Sequence, residues 1–281
     1  MKKLKLIPVI VFLSSAILAA CQKDTAQQST SQVPTASLAG ASTAPLQATA
    51  VSWVNVIPAS SFSSFSTYWN NLYPWGSDHN GTARMRAEII SVSGGVLTLT
   101  SAPSGSVGNS NKSPYLAIDY YSGTVYAKVV PVVDASWPKW HFKGEFQCES
   151  QRGTWPAFWA TGATSWPPES DFMEFKGSNT CWTNTYKNAS GGWSSVGTAI
   201  TSPGNWHTYS VYMTKINATD VTIEYWIDGV LKSTQTGANF VGKSMNIIID
   251  YQMEGSSGSP GPTGTTYMRA RNVIVEKSAT L

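Results

Sequence analysis

The feature that most constrains the fold is a repeated two-residue alternation of apolar and polar side chains. Residues 221–227 alternate strictly, and the Asp-Gly dipeptide at 228–229 is typical of a hairpin turn. Segments 95–100, 206–213 and 267–276 have the same pattern. Because a two-residue period puts successive side chains on opposite faces of a strand, one face of each segment can be buried. The pattern predicts an all-β fold.

Turn-forming residues separate these segments and favour a particular all-β architecture. The chain contains 23 glycines, and residues 254–264 are rich in Gly, Ser and Pro. No internal repeat is evident, and no long 3.6-residue period is found beyond the N-terminal apolar run. We therefore predict a sandwich of two antiparallel sheets, built from about 230 residues.

Charge is distributed in a way that excludes some partners. The chain has 19 Lys and Arg residues against 16 Asp and Glu residues, a formal net charge of +3. Three of the lysines are Lys2, Lys3 and Lys5, so the rest of the chain is neutral overall. A neutral body argues against nucleic acid or an anionic membrane surface as the main partner.

The N-terminal residues are typical of a targeting signal. Three lysines precede an apolar run over 6–20, which is short for a membrane span. Residues 18–21 (LAAC) resemble a lipobox, in which Cys21 is acylated; the alternative is an ordinary signal peptide with a chance cysteine. Residues 1–20 are thus predicted to be a lipoprotein signal and 21–50, rich in Ser, Thr, Ala and Gln, a flexible tether. We expect a lipoprotein of the outer membrane or cell surface.

Three acidic residues lie close together within segment 166–175. In a regular strand, Glu169 and Asp171 share one face and Glu174 lies on the other. One extra residue, a β-bulge, brings Glu174 back to the face of the first two. Three neighbouring carboxyl groups repel one another and raise each other's pKa.

Such a group of carboxyls is suited to glycoside hydrolysis. One ionised carboxylate attacks the anomeric carbon, and one protonated carboxyl donates to the leaving oxygen. The alternative is a solvated strand face, but Phe172, Met173 and Phe175 are bulky and apolar. The spacing therefore favours a catalytic strand.

Several blocks of sequence resemble glycoside hydrolase family 16. Residues 169–174 are similar to its E-x-D-x-x-E signature in the bulged form. Four further blocks follow the family's order: S-G at 122–123, G-x-W-P-A-F-W at 153–159, H-T-Y at 207–209 and D-G at 228–229. The resemblance covers most of residues 51–281, which we predict to be a catalytic domain.

The resemblance implies a β-jelly-roll with a concave substrate cleft and endo-acting, retaining cleavage of β-linked glucans or galactans. It implies that Glu169 is the nucleophile, Glu174 the general acid/base and Asp171 the helper between them. We expect β-1,3- or mixed-linked glucan as substrate, because such glucanases are frequent in the family. A galactan hydrolase, a transglycosylase and a non-catalytic lectin on the same fold remain alternatives.

Five further residues are candidates for contact with a polysaccharide. Trp159 and Trp166 flank the acidic segment, and aromatic rings stack on the apolar faces of sugars. Asn184 and Tyr186 resemble a sugar-contacting pair of related enzymes. Gln252 lies in an alternating polar run, where it is a candidate for a hydroxyl contact.

The few histidines and cysteines suggest little additional chemistry. Three histidines form no ligand cluster, so we predict no catalytic metal or cofactor, although the family often holds a structural calcium ion. Besides Cys21, the chain contains Cys148 and Cys181, which could form a disulfide or remain buried thiols. We expect a monomer.

Overall fold

The computed structural model describes residues 51–187 and 190–281. The predicted signal (1–20), the predicted acylation site Cys21 and the predicted tether (21–50) lie outside the described residues. The helices of the described part are short: the α-helical turn α1 (Phe65–Tyr68) and the 3₁₀ turns Ser61–Ser64, Ala87–Ile89 and Gly255–Ser257. None of them has the length and apolar character needed to cross a bilayer.

Strands dominate the described part of the chain. They are, in chain order, β1 (Val54–Ile57), β2 (Trp69–Asn71), β3 (Ala83–Met85), β4 (Ile90–Ser93), β5 (Val96–Pro103), β6 (Tyr120–Ser122), β7 (Thr124–Ala127), β8 (Lys139–Cys148), β9 (Thr154–Gly162), β10 (Glu169–Phe175), β11 (Thr180–Tyr186), β12 (Trp193–Ala199), β13 (His207–Lys215), β14 (Val221–Ile227), β15 (Val230–Gly237), β16 (Met245–Met253) and β17 (Thr266–Ser278).

One sheet contains the strands that the alternating pattern predicted. Its strand order is β15-β14-β13-β8-β17-β5-β6-β3, with β1 paired to β17 and β4 paired to β5. The four alternating segments correspond to β5, β13, β14 and β17, which confirms that part of the prediction. Val221, Ile223, Tyr225 and Ile227 of β14 are buried, and the residues between them are partly exposed. This is the pattern of a sheet with one face on the core and one face toward solvent.

The other sheet is buried more completely. Its order is β12-β11-β10-β9-β16-β7-β2, with antiparallel pairing throughout. All nine residues of β16 and the first eight of β9 are buried. One face of these strands packs on the core, and the other forms the floor of a cleft, so that side chains on both faces are buried. Their sequences therefore lack the clean alternation of β14.

Aromatic side chains fill the space between the sheets. Phe158 and Phe172 belong to the seven-stranded sheet and pack edge to face with ring centroids 5.0 Å apart. Phe142, from the other sheet, stacks on Phe172 at 4.9 Å. Such pairs add to the free energy gained by removing apolar surface from water. The molecule is an all-β sandwich of the jelly-roll type, as predicted.

Both cysteines of the described part are buried in this core as free thiols. The Sγ atom of Cys148 lies 3.6 Å from the Sδ atom of Met173, on the inner face of β10. Burial raises the pKa of Cys181 to about 12 and that of Cys148 well above its usual range. The two thiols are therefore protonated and act as small apolar side chains.

Candidate active site

Strand β10 contains the β-bulge that the spacing of its acidic residues requires. Asp171 pairs with Trp159 of β9, but the next β9 residue, Phe158, pairs with Met173, so the chain has one additional residue at Phe172. A matching shift is present against β11. Phe172 and Met173 both enter the core, and Glu174 returns to the face of Asp171. The predicted bulge is thus present, and it brings all three carboxyls to one cleft.

The loop before β10 brings an exposed indole to the first carboxyl. A Cβ atom at position 162 would lie 1.9 Å from the carbonyl oxygen of Ser165, so only glycine allows this loop to fold back on β9. Trp166, which is 55% exposed, donates from Nε1 to Glu169 Oε2 over 3.0 Å. Thr161 donates to the same oxygen over 3.1 Å. These two donors fix the orientation of the Glu169 carboxyl.

An amide links the other two carboxyls. Asn184 Nδ2 donates to Asp171 Oδ2 over 2.8 Å and to Glu174 Oε2 over 2.7 Å. Glu174 also accepts from Trp155 Nε1 over 2.7 Å and pairs with Lys176 Nζ over 2.8 Å. Each oxygen of Glu174 therefore has a fixed donor, and a cation stands beside it.

Burial and mutual repulsion change the acidity of this group. Burial raises the pKa of Glu169 to about 7; the hydrogen bonds from Trp166 and Thr161 lower it, and the charge of Glu174 raises it again. Burial, and then the charges of Glu174 and Glu169, raise the pKa of Asp171 well above its usual range. Of the three carboxyls, Asp171 is thus shifted toward its protonated form by burial and by both neighbouring charges. Glu169 changes charge near neutrality and can act as a carboxylate above pH 7.

The strand is also fixed from the core side. Ser170 is fully buried, and its hydroxyl lies 2.7 Å from the Tyr225 hydroxyl of the opposite sheet. Thr185 lies 2.6 Å from the same hydroxyl, which in turn donates to the backbone oxygen of Asn184 over 3.0 Å. This network explains the polar residue at position 170 within an apolar core. It ties β10 and β11 to each other directly beneath the carboxyls.

The carboxyls line a cleft of about 330 Å³ on the outer face of the seven-stranded sheet. Its lining comes mainly from β9, β10, β11, β12 and β16: His79, Asn80, Trp155, Ala157, Trp159, Glu169, Asp171, Glu174, Lys176, Asn184, Trp193, Ser195, Asp250, Gln252 and Ser256. Polar groups with aromatic side chains between them are typical of a site that holds sugar rings.

The predicted substrate-binding residues are distributed over two regions. Trp159, Asn184 and Gln252 line the cleft. Trp166 lies beside Glu169, and its ring centroid is 4.4 Å from that of Tyr186. The Oε1 atom of Gln252 already accepts two backbone N–H groups, those of Ala83 and Met253, each over 2.9 Å. Contact of these five residues with substrate stays a prediction.

Several cleft residues were not selected from the sequence. Trp155 lies on β9, and the G-x-W-P-A-F-W block could have suggested it. Lys176 directly follows β10. Asp250 lies on the same alternating polar run as Gln252, which was the available signal. His79 lies in an irregular segment, where no period marks it. Burial lowers the pKa of His79 to about 4, so its ring is neutral where it stacks on Trp159.

The described residues contain few candidates for metal ligands. There, no group of three or more His, Cys, Asp or Glu side chains is arranged to hold a metal ion. Calcium sites also use carbonyl oxygens, so the structural calcium ion implied by the family resemblance stays a prediction.

Comparison with known proteins supports the resemblance. The family model described as "Glycosyl hydrolases family 16" matches residues 106–259. A galactan endo-β-1,3-galactanase of Flammulina velutipes is 46% identical over 227 residues, which cover 79% of this chain and 90% of that protein. The endo-1,3-1,4-β-glycanase ExsH of Rhizobium meliloti is 28% identical over 178 residues, covering 61% of this chain and 35% of that protein.

The fold is also that of solved structures. The crystal structure of SCLam, a non-specific endo-β-1,3(4)-glucanase of family 16, matches with a TM-score of 0.61. The match covers 82% of this chain and 93% of SCLam, at 17% sequence identity, and so supports the jelly-roll fold alone. The family model and the 46% identical relative go further. By these matches the chain belongs to glycosyl hydrolase family 16 and is an endo-acting glycoside hydrolase.

Proposed function

We propose that this protein hydrolyses a β-1,3-linked galactan by a retaining mechanism. The observation that carries the mechanism is the bulge at Phe172, which places Glu169, Asp171 and Glu174 in one cleft. Galactan replaces the glucan expected from the sequence alone, because the 46% identical relative is named a galactan endo-β-1,3-galactanase. Glucose and galactose differ in the orientation of one hydroxyl group, so the fold does not distinguish between them.

In the proposed first step, the Glu169 carboxylate attacks the anomeric carbon of the sugar. The bond from that carbon to the glycosidic oxygen breaks, and Glu174 donates its proton to the leaving oxygen. In the second step, Glu174 removes a proton from water, the water oxygen attacks the same carbon, and Glu169 is released. Two inversions leave the anomeric configuration unchanged.

The surrounding residues support this division of roles. Asp171 lies between the two glutamates in sequence, and the upward shift of its pKa favours a protonated carboxyl that can donate a hydrogen bond without adding a third charge. Lys176 is placed to balance the charge of Glu174 after that group has lost its proton. Trp159 and Trp166 are proposed to stack on sugar rings, and Asn184, Tyr186 and Gln252 are proposed to contact hydroxyl groups.

A panel of polysaccharides with product analysis tests the proposal. Wild-type protein is incubated with β-1,3-galactan, β-1,3-glucan and mixed-linked β-glucan, and new reducing ends are measured. We expect the fastest release from galactan, oligosaccharide products, and retained configuration by NMR. The Glu169→Gln variant is expected to lose at least about a thousandfold in rate, because it lacks a nucleophile. A Glu169→Gln variant with full activity contradicts the mechanism.

The alternatives give different outcomes in the same panel. Binding without new reducing ends indicates a lectin, and products longer than the substrate indicate a transglycosylase. Fastest release from a glucan favours the second candidate substrate, for which the 28% identical endo-1,3-1,4-β-glycanase is the specific support. A glucan result rejects the galactan assignment without affecting the roles of the carboxyls.

We also propose that acylated Cys21 anchors the enzyme to the cell envelope, in the outer membrane or at the cell surface. The support is the LAAC motif at 18–21. A Cys21→Ser variant is expected to be released from the membrane fraction and to lose incorporation of labelled fatty acid. Unchanged fractionation and labelling would exclude the anchor. Size-exclusion chromatography of residues 51–281 tests the expected monomer.

A further inference from the structure

A fourth carboxyl group faces the three carboxyls of β10 across the floor of the cleft. Ala157 of β9 pairs with Glu174 on one side and with Asp250 of β16 on the other. Paired residues of adjacent strands point to the same face, and two strand spacings separate the backbones of Glu174 and Asp250 by about 10 Å. The alanine between them has only a methyl group, so the floor of the cleft is open there.

Asp250 is buried, and it is incompletely hydrogen-bonded. Its Oδ2 atom accepts from the Tyr73 hydroxyl over 2.6 Å, and its Oδ1 atom accepts from Trp159 Nε1 over 2.9 Å. Within residues 51–187 and 190–281, its side chain has no other hydrogen-bonding partner. A carboxylate has about four acceptor positions, so each oxygen retains one. Because Asp250 lines the cleft, a bound ligand can supply the missing donors.

The two donors also connect Asp250 to an aromatic wall. Trp159 stacks on His79 with ring centroids 5.7 Å apart, and Tyr73 stacks on Trp75 at 5.0 Å. Asp250 therefore holds the first ring of each stack in a fixed position. Apolar ring faces next to a hydrogen-bond acceptor match a pyranose, which has apolar faces and hydroxyl groups at its edge.

Another buried acid on the same chain segment shows what a purely structural role requires. Glu254 follows β16, and its carboxyl accepts from Thr82 Oγ1, Ser259 Oγ and the Gly261 N–H over 3.0, 3.0 and 2.7 Å. It does not line the cleft. Buried carboxyls are costly unless hydrogen-bonded, and the protein alone supplies three donors to Glu254. Asp250 has two donors from the described residues and lines the cleft, where a ligand can add more.

We propose that Asp250 is a sugar-binding residue, whose carboxyl accepts hydrogen bonds from hydroxyl groups of the saccharide unit that lies over Ala157. The proposal rests on the proposed function in that this unit belongs to the polysaccharide substrate. Its ligand class is a neutral pyranose with free hydroxyls directed toward β16. Asp250 and Glu174 then hold opposite sides of one sugar unit, and the aromatic wall limits its position.

An Asp250→Asn variant separates sugar binding from support of the wall. The amide oxygen can still accept from Trp159, and the amide N–H can donate to the Tyr73 oxygen, so both rings keep a partner. The acceptor capacity toward sugar falls. Glu254→Gln is the matched control, since it makes the same carboxyl-to-amide change at another buried acid of this chain segment. Both substitutions are made in a Glu169→Gln background, and binding of β-1,3-galactotriose is measured by calorimetry.

We expect Asp250→Asn to weaken binding at pH 8 by about 10- to 100-fold, the usual cost of losing hydrogen bonds to a charged group. Glu254→Gln is expected to change affinity by less than about twofold. Equal losses in both variants, or no loss in Asp250→Asn, would overturn the proposal. Thermal unfolding of each variant is measured first, so that a folding defect is recognised.

A second measurement needs no substitution at position 250. Wild-type kcat/KM is compared for oligosaccharides in which single hydroxyls are replaced by hydrogen. At least one replacement is expected to cost tenfold or more, and equal rates across the series overturn the proposal. If the polysaccharide panel identifies a glucan, the galactan assignment fails, and both measurements are made with the corresponding glucan oligosaccharides. Failure of the galactan assignment is thus distinguishable from failure of the sugar-binding role of Asp250.

Discussion

Acidic side chains have different partners on the exposed face of the ten-stranded sheet and on the cleft face of the seven-stranded sheet. On the exposed face, Glu145 accepts from Arg271 over 2.8 Å, and Glu276 lies 3.0 Å from His141 Nδ1. The cleft face has four carboxyls, and the described residues that line the cleft include a single lysine, Lys176. These two acids of the first sheet have individual partners, whereas the cleft lysine is ion-paired with Glu174 alone among the four carboxyls.

The acidity of the two sets differs accordingly. Burial raises the pKa of Glu145, but hydrogen bonds from Asn272 and Arg271 outweigh it, and the net shift is downward. In the cleft, burial raises the pKa of Glu169 and that of Asp250 to about 7 each. The same chemical group is thus stabilised as an ion on one sheet and destabilised on the other. Carboxyls with raised pKa values in a cleft are typical of functional sites and support the roles proposed for this group.

The largest expected difference concerns catalytic rate. Glu174→Gln is expected to lower kcat about 10²- to 10⁴-fold, because a glutamine cannot protonate the leaving oxygen. The loss should be much smaller for an aryl glycoside whose leaving group needs no proton. Initial rates on the polysaccharide and on the aryl glycoside measure the two losses. Glu145→Gln, on the exposed sheet, is the control and should remain within about twofold of wild type; a similar loss there would remove the distinction between the sheets.

A smaller loss of rate is expected at the middle acid. Asp171→Asn keeps the size of the side chain but cannot exchange a proton, and its amide meets the Asn184 amide that now donates to Asp171. We expect kcat to fall about 10- to 100-fold, equivalent to about 1.4–2.7 kcal/mol in the barrier. Asp228→Asn, at the hairpin of the other sheet, serves as control. Wild-type kcat in Asp171→Asn would contradict the helper role.

Stability is expected to change in opposite directions on the two sheets. A carboxyl whose pKa is raised on folding contributes stability at low pH, and this contribution is lost as the pH rises through the folded value, here about 7 for Glu169. Glu169→Gln should therefore raise Tm by a few degrees at pH 8 and by much less at pH 4.

Glu145 of the ten-stranded sheet provides the comparison for that experiment. Glu145 has a lowered pKa, so its stabilising contribution is present at neutral pH and is lost on acidification. Glu145→Gln is expected to lower stability at pH 8 by at most about 1 kcal/mol, as is typical of partly exposed ion pairs. Calorimetric scans at both pH values measure the two variants; shifts of the same sign would contradict the contrast.

The smallest expected effect is a shift in pH dependence. Trp166 donates to Glu169 and so favours its ionised form. Trp166→Phe removes this donor, the pKa of Glu169 rises, and the acidic limb of kcat/KM, expected near pH 7 in the wild type, moves to higher pH by less than about one unit. A pH–rate profile measures the shift, and Tyr186→Leu, which removes the ring contact with Trp166 but leaves the indole donor, is the control. A limb that stays in place would show that the indole does not affect the nucleophile.

The sequence predicted well those features that depend on neighbouring residues. The alternation in β14 predicted a strand with one buried face, and the spacing of Glu169, Asp171 and Glu174 predicted a bulge. Both rules operate over a few residues of one strand. Strands β9 and β16 were harder to predict, since both of their faces are covered and no polar alternation remains.

Features that depend on distant contacts were not predicted. Asp250 meets Tyr73 across 177 positions of sequence, and no local period indicates that the two side chains share a hydrogen bond. His79 lies in an irregular segment and reaches the cleft only because the fold brings that segment over β9. The choice between glucan and galactan depends on single hydroxyl contacts, which spacing rules do not encode.

The bulge at Phe172 has a consequence for how this enzyme tolerates change. Two consecutive side chains, Phe172 and Met173, enter the core there, and the carboxyls of Asp171 and Glu174 stand on either side of them. A substitution that repacks the sandwich interior at these positions changes the spacing of the reacting groups as directly as one made in the cleft. Turnover is therefore expected to respond to core packing in this strand, as the melting temperature does.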